Sequence, residues 1–490
     1  MKLKERIFIG LFVLMITSFV MSQLFFKRKT YSDINTSITL DLAESSNMTL
    51  KISSIDYDLY TFKDLSEVLM KIQLMNWNTK PIGDTNTDLS SSQKTNLKGI
   101  IQDKNKDLTI WDLFYFGINT NGIYQETKES NYIVESIIYS MRRTNILTVM
   151  QEEAGTQLKL IINLIKNGKA LFKPMRFSGN HVSFRNQFYF TEFERYNAEI
   201  AAYHLDRLLG FRRAVPVTGR QLNISSDLYK SASLELQKTF FISPLGNLCF
   251  HGKCSYYCDT SHAVCGEIDI INGSLAAFLP PKYIVPRKVW RHPWRRSYHK
   301  RRKTNWENDP YYCDVIKEIF PYNNGRRLFD IMDLSVFDFL MGNMDRHHYE
   351  TIVSFENYTY PIHLDHGRGF GDSSKNENSI LAPIYQCCLF KYSTLKRLLL
   401  FIKGPISLSE AIIYSMQNDP LSPILFEPHL KAIDHRLIIV LKTLRECLKK
   451  QGKSLKDIFH LEKDYDRGHQ AALFWLQPRT PVSRAGYAQI

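Results

Sequence analysis

The chain has 490 residues, 44% of them hydrophobic, and a formal net charge of +14. This length and composition support one large or two ordinary folded domains and exclude a wholly disordered chain. The excess of cations favours acidic partners, membrane surfaces or anionic glycans, with nucleic acid as the competing partner.

The N-terminus argues against a nucleic-acid role. Residues 7–26 form a run of 20 uncharged residues, which is long enough to cross a bilayer. The run is longer than a usual signal-peptide core, and no small-x-small cleavage site follows it. We therefore predict a cytoplasmic tail and signal anchor over residues 1–29, with a cleaved signal peptide as the alternative. Basic residues flank the run on both sides, so the charge-bias rule leaves its orientation open.

The next segment, residues 30–105, is rich in Ser, Thr, Asn and Asp, and we predict a flexible lumenal stem. A folded domain is expected over residues 106–450, followed by a C-terminal tail over 451–490 that loses periodicity. Glycosylation sequons support a lumenal location and occur at Asn35, Asn47, Asn223, Asn272 and Asn357.

All eight cysteines lie in the C-terminal half of the chain. An even number of cysteines behind a membrane anchor favours disulfides. The adjacent Cys387 and Cys388 are poorly placed to bond each other, so each is expected to take a different partner. The alternative is a zinc site, which is less favoured because its spacings lack the paired C-x2-C form; it would use Cys249, Cys254, Cys258 and Cys265.

The predicted domain begins with amphipathic helices within residues 109–150. A strand over 156–162, a turn at 166–168 and a strand over 170–174 follow, and then an amphipathic helix over 193–209. Hairpin, lysine-bearing strand and glutamate-bearing helix succeed one another in the order of a kinase N-lobe.

A mostly helical region is predicted after residue 210. It contains a helix over 328–341 and a short hairpin formed by 351–355 and 360–364. Further helices are predicted over 395–402, 408–416 and 429–449.

Asp345 and Asp365 lie twenty positions apart, each next to a predicted strand end. This is close to the separation of the two catalytic aspartates of a kinase. One of these orients and deprotonates the attacking hydroxyl, and the other holds the divalent ion. The alternative is that both are turn or cap residues.

Lys173 ends a strand of buried character, where a lysine is costly unless it has an anionic partner. Glu194 follows 21 residues later, at the spacing of the kinase ion-pair glutamate, and Glu199 is its competitor. A lysine leaving a strand end and a glutamate complementing a helix dipole are the alternatives. For His347 and His348, structural hydrogen bonding is favoured over a metal site.

Three features depart from ordinary kinases. The loop expected over the nucleotide contains a single glycine, Gly155, instead of a G-x-G-x-x-G motif. Glu350 stands where a metal-binding Asn is usual, and His366 occupies the middle of the D-x-G tripeptide. The layout is therefore kinase-like, but it belongs to an unusual family.

Several segments closely resemble the secretory-pathway kinases, a family that includes the Golgi casein kinase, the glycosaminoglycan xylosylkinase and a pseudokinase paralogue. The resemblance covers roughly residues 150–450, and its segments are 173–174, 194–202, 273–280, 293–298, 342–350, 379–383 and 386–388. It implies an α+β, atypical two-lobed protein-kinase-like fold, with a β-rich N-lobe and a mostly helical, disulfide-bonded C-lobe. It also implies a Golgi lumenal location behind a type II anchor, and the use of ATP with Mn2+ or Mg2+.

The resemblance also implies roles for individual residues. Asp345 is the catalytic base, Asp365 holds metal and phosphates, and Glu194 is the metal-side carboxylate. The remaining nucleotide contacts implied by the resemblance are Gln157, Lys159, Lys173, the hinge residues Ala276, Ala277, Phe278 and Leu279, and Glu350. The pseudokinase paralogue carries Gln at the position of Glu194, so Glu194 favours activity. His366 replaces the Asn that members usually carry.

The disulfides implied by the resemblance are Cys249–Cys265, Cys254–Cys258, Cys313–Cys387 and Cys388–Cys447. For the acceptor, residues 294–303 and 346–351 are closer to the Golgi casein kinase than to the xylosylkinase. We therefore predict a Ser/Thr protein kinase that acts on secreted acidic proteins at Ser-x-Glu or Ser-x-phosphoSer. A xylosylkinase and a non-catalytic activator are the alternatives. Predicted partners also include a second copy or a pseudokinase paralogue, and secretion after cleavage of the anchor is left open.

Overall fold

The computed structural model describes residues 62–75, 108–153, 155–177, 188–299, 301–450 and 454–461. The chain divides into two compact units, Met1–Lys63 and Asp64–Ile490, and the architecture below belongs to the second. The predicted anchor and the sequons Asn35 and Asn47 lie outside the described residues. Within the described ranges no single helix has the length and hydropathy to span a bilayer, although one bent pair, Tyr392–Lys403 with Leu408–Met416, meets both criteria together.

The helices begin with α1 (Lys63–Leu74), α2 (Ile110–Phe116), α3 (Lys128–Arg143), α4 (Tyr196–Leu208) and α5 (Leu234–Gln237). They continue with α6 (Asn305–Asn308), α7 (Tyr312–Lys317), α8 (Arg327–Met341), α9 (Ala382–Cys387) and α10 (Tyr392–Lys403). The last are α11 (Leu408–Met416), α12 (Glu427–Lys449) and α13 (Leu455–Ile458).

The first strands are β1 (Ile146–Gln151), β2 (Leu160–Leu164), β3 (Gly168–Pro174), β4 (Val217–Asn223), β5 (Phe240–Ile242) and β6 (Leu248–Phe250). They are followed by β7 (Val264–Cys265), β8 (Ile270–Ala277), β9 (Arg287–Arg291), β10 (His348–Ile352), β11 (Phe390–Lys391) and β12 (Phe459–His460). The main sheet is antiparallel with the order β1-β2-β3-β8-β4.

The β2–β3 hairpin forms as predicted, because its turn residues suit a tight reversal. Three residues, 165–167, separate the paired Leu164 and Gly168, and Lys166 and Asn167 both have positive φ, 59° and 62°, which reverses the chain tightly. In β3, Ala170 and Phe172 are fully buried, so the strand is part of the core up to Lys173. Helices α2 and α3 form within 109–150 as predicted, and residues 146–151 after them form β1, which pairs with β2.

Helix α4 packs against β4, β8 and α11, and its residues 196–206 are all buried. Because these neighbours cover α4, the charged side chains on this helix form internal ion pairs instead of facing solvent. The strand predicted over 156–162 begins only at Leu160. The prediction of a mostly helical region after residue 210 is wrong for 217–291, because strands β4 to β9 lie there.

The helical part of the domain is built around α8, which is buried along nearly its whole length and packs on α12. The helix ends at Gly342, whose φ of 72° is the left-handed conformation that glycine adopts without strain. The predicted hairpin of 351–355 with 360–364 is wrong. Strand β10 pairs instead with β9, residues 353–358 form two short 3-10 turns with a kink at Glu356, and a single bridge joins Glu350 to Ile362.

Four disulfides close the structure, and they are the pairs that the resemblance implies: Cys249–Cys265, Cys254–Cys258, Cys313–Cys387 and Cys388–Cys447. No cysteine is left for the alternative zinc site. The first joins β6 to β7, and the last two fix α9 to α7 and to α12. Such cross-links stabilise a fold mainly by restricting the unfolded chain.

Described elements also lie outside the predicted limits of the folded domain, 106 and 450. The predicted stem contains α1, whose Asp64 carboxylate lies 2.6 Å from Nε of Arg445 on α12. The predicted tail contains α13 and β12, and β12 pairs in parallel with β11. The limits of the folded domain stay a prediction.

The sequons in the described part of the chain differ in accessibility. Asn357 is exposed, and Asn223 is half-buried, where its side chain caps the following turn. Asn272 lies in β8 between β3 and β4, and its side-chain oxygen is buried without a hydrogen-bond partner. Because a glycan needs a surface site, Asn357 has the most accessible of these side chains, and glycosylation at all three positions stays a prediction.

Candidate functional site

Lys173, near the end of β3, is the centre of the site. Its side chain is only 8% exposed, and three carboxylates surround its ammonium group. Nζ lies 2.8 Å from Glu194 Oε2, 2.6 Å from Glu199 Oε1 and 2.6 Å from Asp365 Oδ1. The sequence argument that this lysine needs an anionic partner is confirmed, with three partners instead of one.

The charges in this cluster support one another. Burial acts to lower the pKa of Lys173, but Asp365, Glu194 and Glu199 outweigh it and hold that pKa well above its usual range. Burial likewise acts to raise the pKa of Asp365, and Lys159 and Lys173 outweigh it, so that the carboxyl stays ionised. Lys159 completes the cluster at 3.5 Å from Asp365 and 3.8 Å from Glu194.

Glu194 reaches the cluster from a different backbone position than predicted. Helix α4 begins at Tyr196, so Glu194 precedes the helix, and Glu199 lies in the first turn. The Gln157 side chain fixes this approach: its amide donates to the Glu192 carbonyl at 2.9 Å, and its oxygen accepts from the Glu194 amide at 3.0 Å. Gln157, predicted to contact nucleotide, therefore holds the segment that carries Glu194.

Asp365 itself has an unusual backbone. Its φ of 58° is left-handed, a conformation that costs free energy in a non-glycine residue and that is concentrated at functional sites. The following amide, His366 N–H, donates to Glu199 Oε1 at 2.8 Å, and the preceding carbonyl, Leu364 O, accepts from the Arg346 guanidinium. These contacts hold the carboxylate against Lys173 with half of its side chain still exposed, 52%.

Arg346 connects the two aspartate loops. Its guanidinium makes a bidentate pair with Asp338 on α8, at 2.9 Å and 2.8 Å, and contacts His366 Nδ1 at 3.2 Å. Burial lowers the pKa of His366 to about 3, and the Arg346 charge adds to the effect, so this ring is neutral. His366 thus acts as a hydrogen-bond acceptor inside the loop that carries Asp365.

Asp345 lies in the loop after α8. Its amide donates to the Asn343 side chain at 3.0 Å, which orients the loop as it leaves the helix. Its Oδ2 forms an ion pair with Arg368, three residues after Asp365. Because Gly367 also packs against Glu194, residues 365–368 contact both the lysine cluster and the predicted base.

The predicted hinge lies at the end of β8. Ala276 and Ala277 belong to the strand, and the Phe278 amide donates to the Lys169 carbonyl at 2.9 Å. The Lys169 ammonium also lies 4.5 Å from the centre of the Phe278 ring. Leu279 is buried. These contacts hold the backbone of residues 276–279 in a fixed position beside β3.

Glu350 lies close to the segment after the hinge. It forms ion pairs with Arg287 at 2.8 Å and Lys282 at 3.2 Å, and Arg287 donates to the Pro280 carbonyl at 2.6 Å. Its predicted contact with nucleotide stays a prediction. In the described ranges, no group of three or more His, Cys, Asp or Glu side chains is arranged to hold a metal ion. Lys173 contacts all three carboxylates of the cluster.

Three residues of the site were not identified as functional from the sequence. Glu199 was only a competitor of Glu194, whereas both contact Lys173. Arg346 and Arg368 were not singled out, although each is adjacent to, or three residues from, a predicted catalytic aspartate. Proximity to Asp345 and Asp365 was the available signal, since a buried carboxylate requires a cation.

The family model "Golgi casein kinase, C-terminal, Fam20" matches residues 109–456. The Drosophila melanogaster "Extracellular serine/threonine protein CG31145" is 57% identical over 322 residues, which are 66% of this chain and 61% of that protein. The human "Extracellular serine/threonine protein kinase FAM20C" is 48% identical over 363 residues, or 74% of this chain and 61% of that protein. The matches thus span about 61% of the length of these two relatives.

Two other members of the family are also similar. The human "Pseudokinase FAM20A" is 42% identical over 70% of this chain and 66% of its own, and the human "Glycosaminoglycan xylosylkinase" is 40% identical over 70% and 81%. Among solved structures, "crystal structure of the Golgi casein kinase with Mn/ADP bound" aligns with a TM-score of 0.68 and 38% identity, covering 77% of this chain and 95% of that one. The chain therefore belongs to the Fam20 family and has the atypical two-lobed kinase fold of its Golgi casein kinase members.

Proposed function

We propose that this chain is a secretory-pathway Ser/Thr protein kinase that transfers the γ-phosphate of ATP to secreted proteins. The observation that carries the proposal is the convergence of Glu194 and Asp365 on Lys173, with Asp345 held beside them by residues 365–368. Phosphoryl transfer needs these parts: a cation for the phosphates, carboxylates for a divalent ion and a carboxylate for the acceptor hydroxyl.

The carboxylates fit Mn2+ or Mg2+. Both ions prefer oxygen ligands, and Mg2+ in kinases is held by one or two carboxylates together with nucleotide phosphates, so a complete protein cage is not required. Glu194 and Asp365 are the residues that would hold the ion, and the half-exposed side chain of Asp365 leaves a side open to the phosphates. The ion would neutralise charge that develops on the phosphates. Lys173 and Lys159 supply the cationic contacts from the protein.

Asp345 is the proposed general base. Its carboxylate would take the proton as the acceptor O–H bond breaks, while the acceptor oxygen forms a bond to the γ-phosphorus. The bond between that phosphorus and the β–γ bridging oxygen breaks at the same time, and its electron pair leaves with ADP. Ion pairing with Arg368 fixes the carboxylate so that it need not reorganise during the step.

The acceptor is proposed to be an acidic protein segment of the Ser-x-Glu or Ser-x-phosphoSer type. The chain after β9 is basic and close to Asp345: Tyr298 interacts electrostatically with Asp345, and the exposed residues that follow include Arg301, Arg302 and Lys303. Guanidinium and ammonium groups recognise carboxylates and phosphates by charge-assisted hydrogen bonds. The two relatives named as Ser/Thr proteins are also more similar in sequence than the xylosylkinase.

A transfer assay tests the proposal. The purified chain, with labelled ATP and Mn2+, is offered either casein or a xylose-containing linker glycan. We expect labelled casein; label on the glycan alone would favour the xylosylkinase alternative. Absence of label on both, with retained binding to a paralogue, would favour the non-catalytic activator and contradict the proposed activity.

Glu194→Gln is expected to weaken Mn2+-dependent ATP binding on the order of 10²-fold, because an amide keeps the shape but not the charge that holds a divalent ion. The measurement is the affinity of wild type and of each variant for ATP, determined by titration with and without Mn2+. Glu192→Gln is the matched control, since the Glu192 carboxylate pairs with Arg195 and not with Lys173. Equal Mn2+ dependence of nucleotide affinity in the two variants would contradict the role of Glu194 as a metal ligand.

The four disulfides support a location in an oxidising compartment, which agrees with the proposed secretory-pathway role. The type II anchor, its cleavage, and pairing with a second copy or a pseudokinase paralogue stay predictions.

A further inference from the structure

The two carboxylate oxygens of Asp345 have different surroundings. Oδ2 forms the ion pair with Arg368. Oδ1 is buried and accepts no hydrogen bond from any residue that the structure describes. A buried carboxylate oxygen without a donor is costly, and at a functional site it marks the position of a missing partner. Oδ1 is therefore the oxygen available to the acceptor hydroxyl.

The side chain nearest to this oxygen on the same loop is His347. Its Nδ1 lies 3.4 Å from Asp345 Oδ1 and 2.7 Å from the Asp345 carbonyl oxygen. The His347 backbone is fixed on the other side, where its carbonyl accepts from the His292 amide at 2.9 Å. The ring thus folds back over the catalytic loop, and a third of its side chain, 33%, faces solvent.

We propose that His347 is a positioning residue that sets when Asp345 can act as base. As an imidazolium, His347 pairs with Asp345 Oδ1 and blocks the acceptor hydroxyl from that oxygen. As a neutral imidazole, His347 releases Oδ1. The inference deepens the proposed kinase function and rests on it.

Charge and access act in the same direction. A positive charge 3.4 Å from a carboxylate stabilises its ionised form, which makes it a weaker proton acceptor. The same charge also holds the His347 ring against Asp345 Oδ1 through an ion pair. The site is partly buried, where Coulomb attraction is stronger than in water. Protonation of His347 should therefore slow the transfer step and leave nucleotide binding at Lys173 unaffected.

The groups around His347 decide the direction of its titration. Asp345 faces Nδ1, the Tyr298 ring lies 5.6 Å away and the His348 ring 4.5 Å away; His292 and Asp365 interact at longer range. Burial acts to lower the pKa of His347, but the charge of the nearby Asp345 carboxylate and the hydrogen bond to the Asp345 carbonyl oxygen outweigh it and raise that pKa above 6.5. His347 is therefore charged below this raised pKa, and kcat should increase as pH rises through it.

The kinetic test measures kcat with saturating ATP and Mn2+ between pH 5.5 and 8, with a Ser-x-Glu peptide that lacks His and phosphoserine. Below the raised pKa the neutral fraction falls about five- to tenfold per pH unit, so kcat should fall by about that factor between pH 6.5 and 5.5. His347→Gln should reduce this factor to below about two. His347→Lys, with a permanent charge, should give low kcat throughout with unchanged ATP affinity.

His348→Gln is the matched control. His348 is adjacent in sequence, but burial and the charges of His347 and Arg291 lower its pKa, and they outweigh the opposing charge of Asp345. This variant should keep the wild-type pH profile. A wild-type slope in His347→Gln, or a fully active His347→Lys, would overturn the inference.

A second measurement does not depend on activity. The His347 imidazole resonance is assigned by its absence from the proton NMR spectrum of His347→Gln, and its titration is followed in wild type and in Asp345→Asn. We expect a midpoint above 6.5 in wild type and a lower one in Asp345→Asn. A midpoint that does not respond to Asp345→Asn overturns the pairing even if the chain transfers phosphate. Absence of transfer by wild type at every pH, with the expected titration, instead contradicts the kinase proposal.

Discussion

Asp345→Ala is expected to lower kcat for phosphate transfer by at least about 10³-fold while leaving Mn2+-dependent nucleotide binding intact. A general base contributes on the order of 10²–10⁴ to a rate, and this carboxylate is held in place for the role by Asn343 and Arg368. It makes no contact with Lys173, so the phosphate side of the site should be unchanged. Transfer and nucleotide affinity are measured on the same preparation.

Asp365→Ala is expected to give the complementary result, loss of Mn2+-dependent nucleotide binding and with it of transfer. Its carboxylate is one of the three around Lys173, and removing it takes away the negative charge on the open side of the cluster. Asp314→Ala is the control, since the Asp314 side chain is 70% exposed and pairs only with Lys317 on the same helix. Retained transfer in Asp345→Ala, or retained Mn2+ dependence in Asp365→Ala, would refute these roles.

Local features of the fold could be predicted from the sequence. The turn at 166–168 followed from Asn167 and Gly168, which are common turn residues, and the predicted helix 408–416 matches α11. The predicted helices 328–341 and 429–449 are each within two residues of α8 and α12. These elements are determined mainly by residues close to one another in the chain, so local sequence patterns are sufficient to predict them.

The pairing of β9 with β10 could not be predicted in this way. The partner of β10 lies far upstream, and its strand contains Lys288, Trp290 and Arg291 without clear alternation. Register between distant strands is decided by tertiary packing, not by local pattern. The segment 360–364 looks like a strand partner because it is apolar, yet only one residue of it bridges β10.

In the candidate site, too, the residues could be predicted from the sequence, but most of their side-chain contacts could not. Lys173, Glu194, Asp345 and Asp365 were named from their types and spacing, and the first, second and fourth of these meet in the structure. Which oxygen of Asp345 is paired, and by which arginine, depends on side-chain directions that spacing does not encode. The hydrogen bond by which Gln157 holds the Glu194 backbone could not be predicted for the same reason.

Asp330→Asn is expected to destabilise the domain by about 3–5 kcal/mol, the usual result of breaking a buried ion pair. Asp330 on α8 is fully buried and contacts three cations: Arg213 at 2.8 Å, Arg326 at 2.8 Å and Lys391. Asp333 would remain as a carboxylate partner of Arg213 and Lys391, at 3.2 Å and 2.9 Å. The measurement is urea unfolding with the disulfides intact.

The effect should depend on pH in a defined direction. Burial acts to raise the pKa of Asp330, but Arg213, Arg326 and Lys391 outweigh it and lower the pKa below its usual value. A lowered pKa in the folded state stabilises the fold above the unfolded-state pKa, about 3.9, and this contribution is lost as pH falls through the lower range. The difference in unfolding free energy between wild type and Asp330→Asn should therefore shrink between pH 5 and pH 3.

The matched control is Lys431→Met, which removes an ion pair with Glu427 on the surface of α12, where both side chains are more than 70% exposed. Solvent screens such a pair, so no measurable change in unfolding is expected. Equal effects of the two substitutions would show that the buried cluster adds nothing beyond an ordinary surface pair. Because α8 carries both Asp330 and the start of the Asp345 loop, loss of the cluster should also increase the amount of urea-sensitive, inactive protein at temperatures where wild type stays folded.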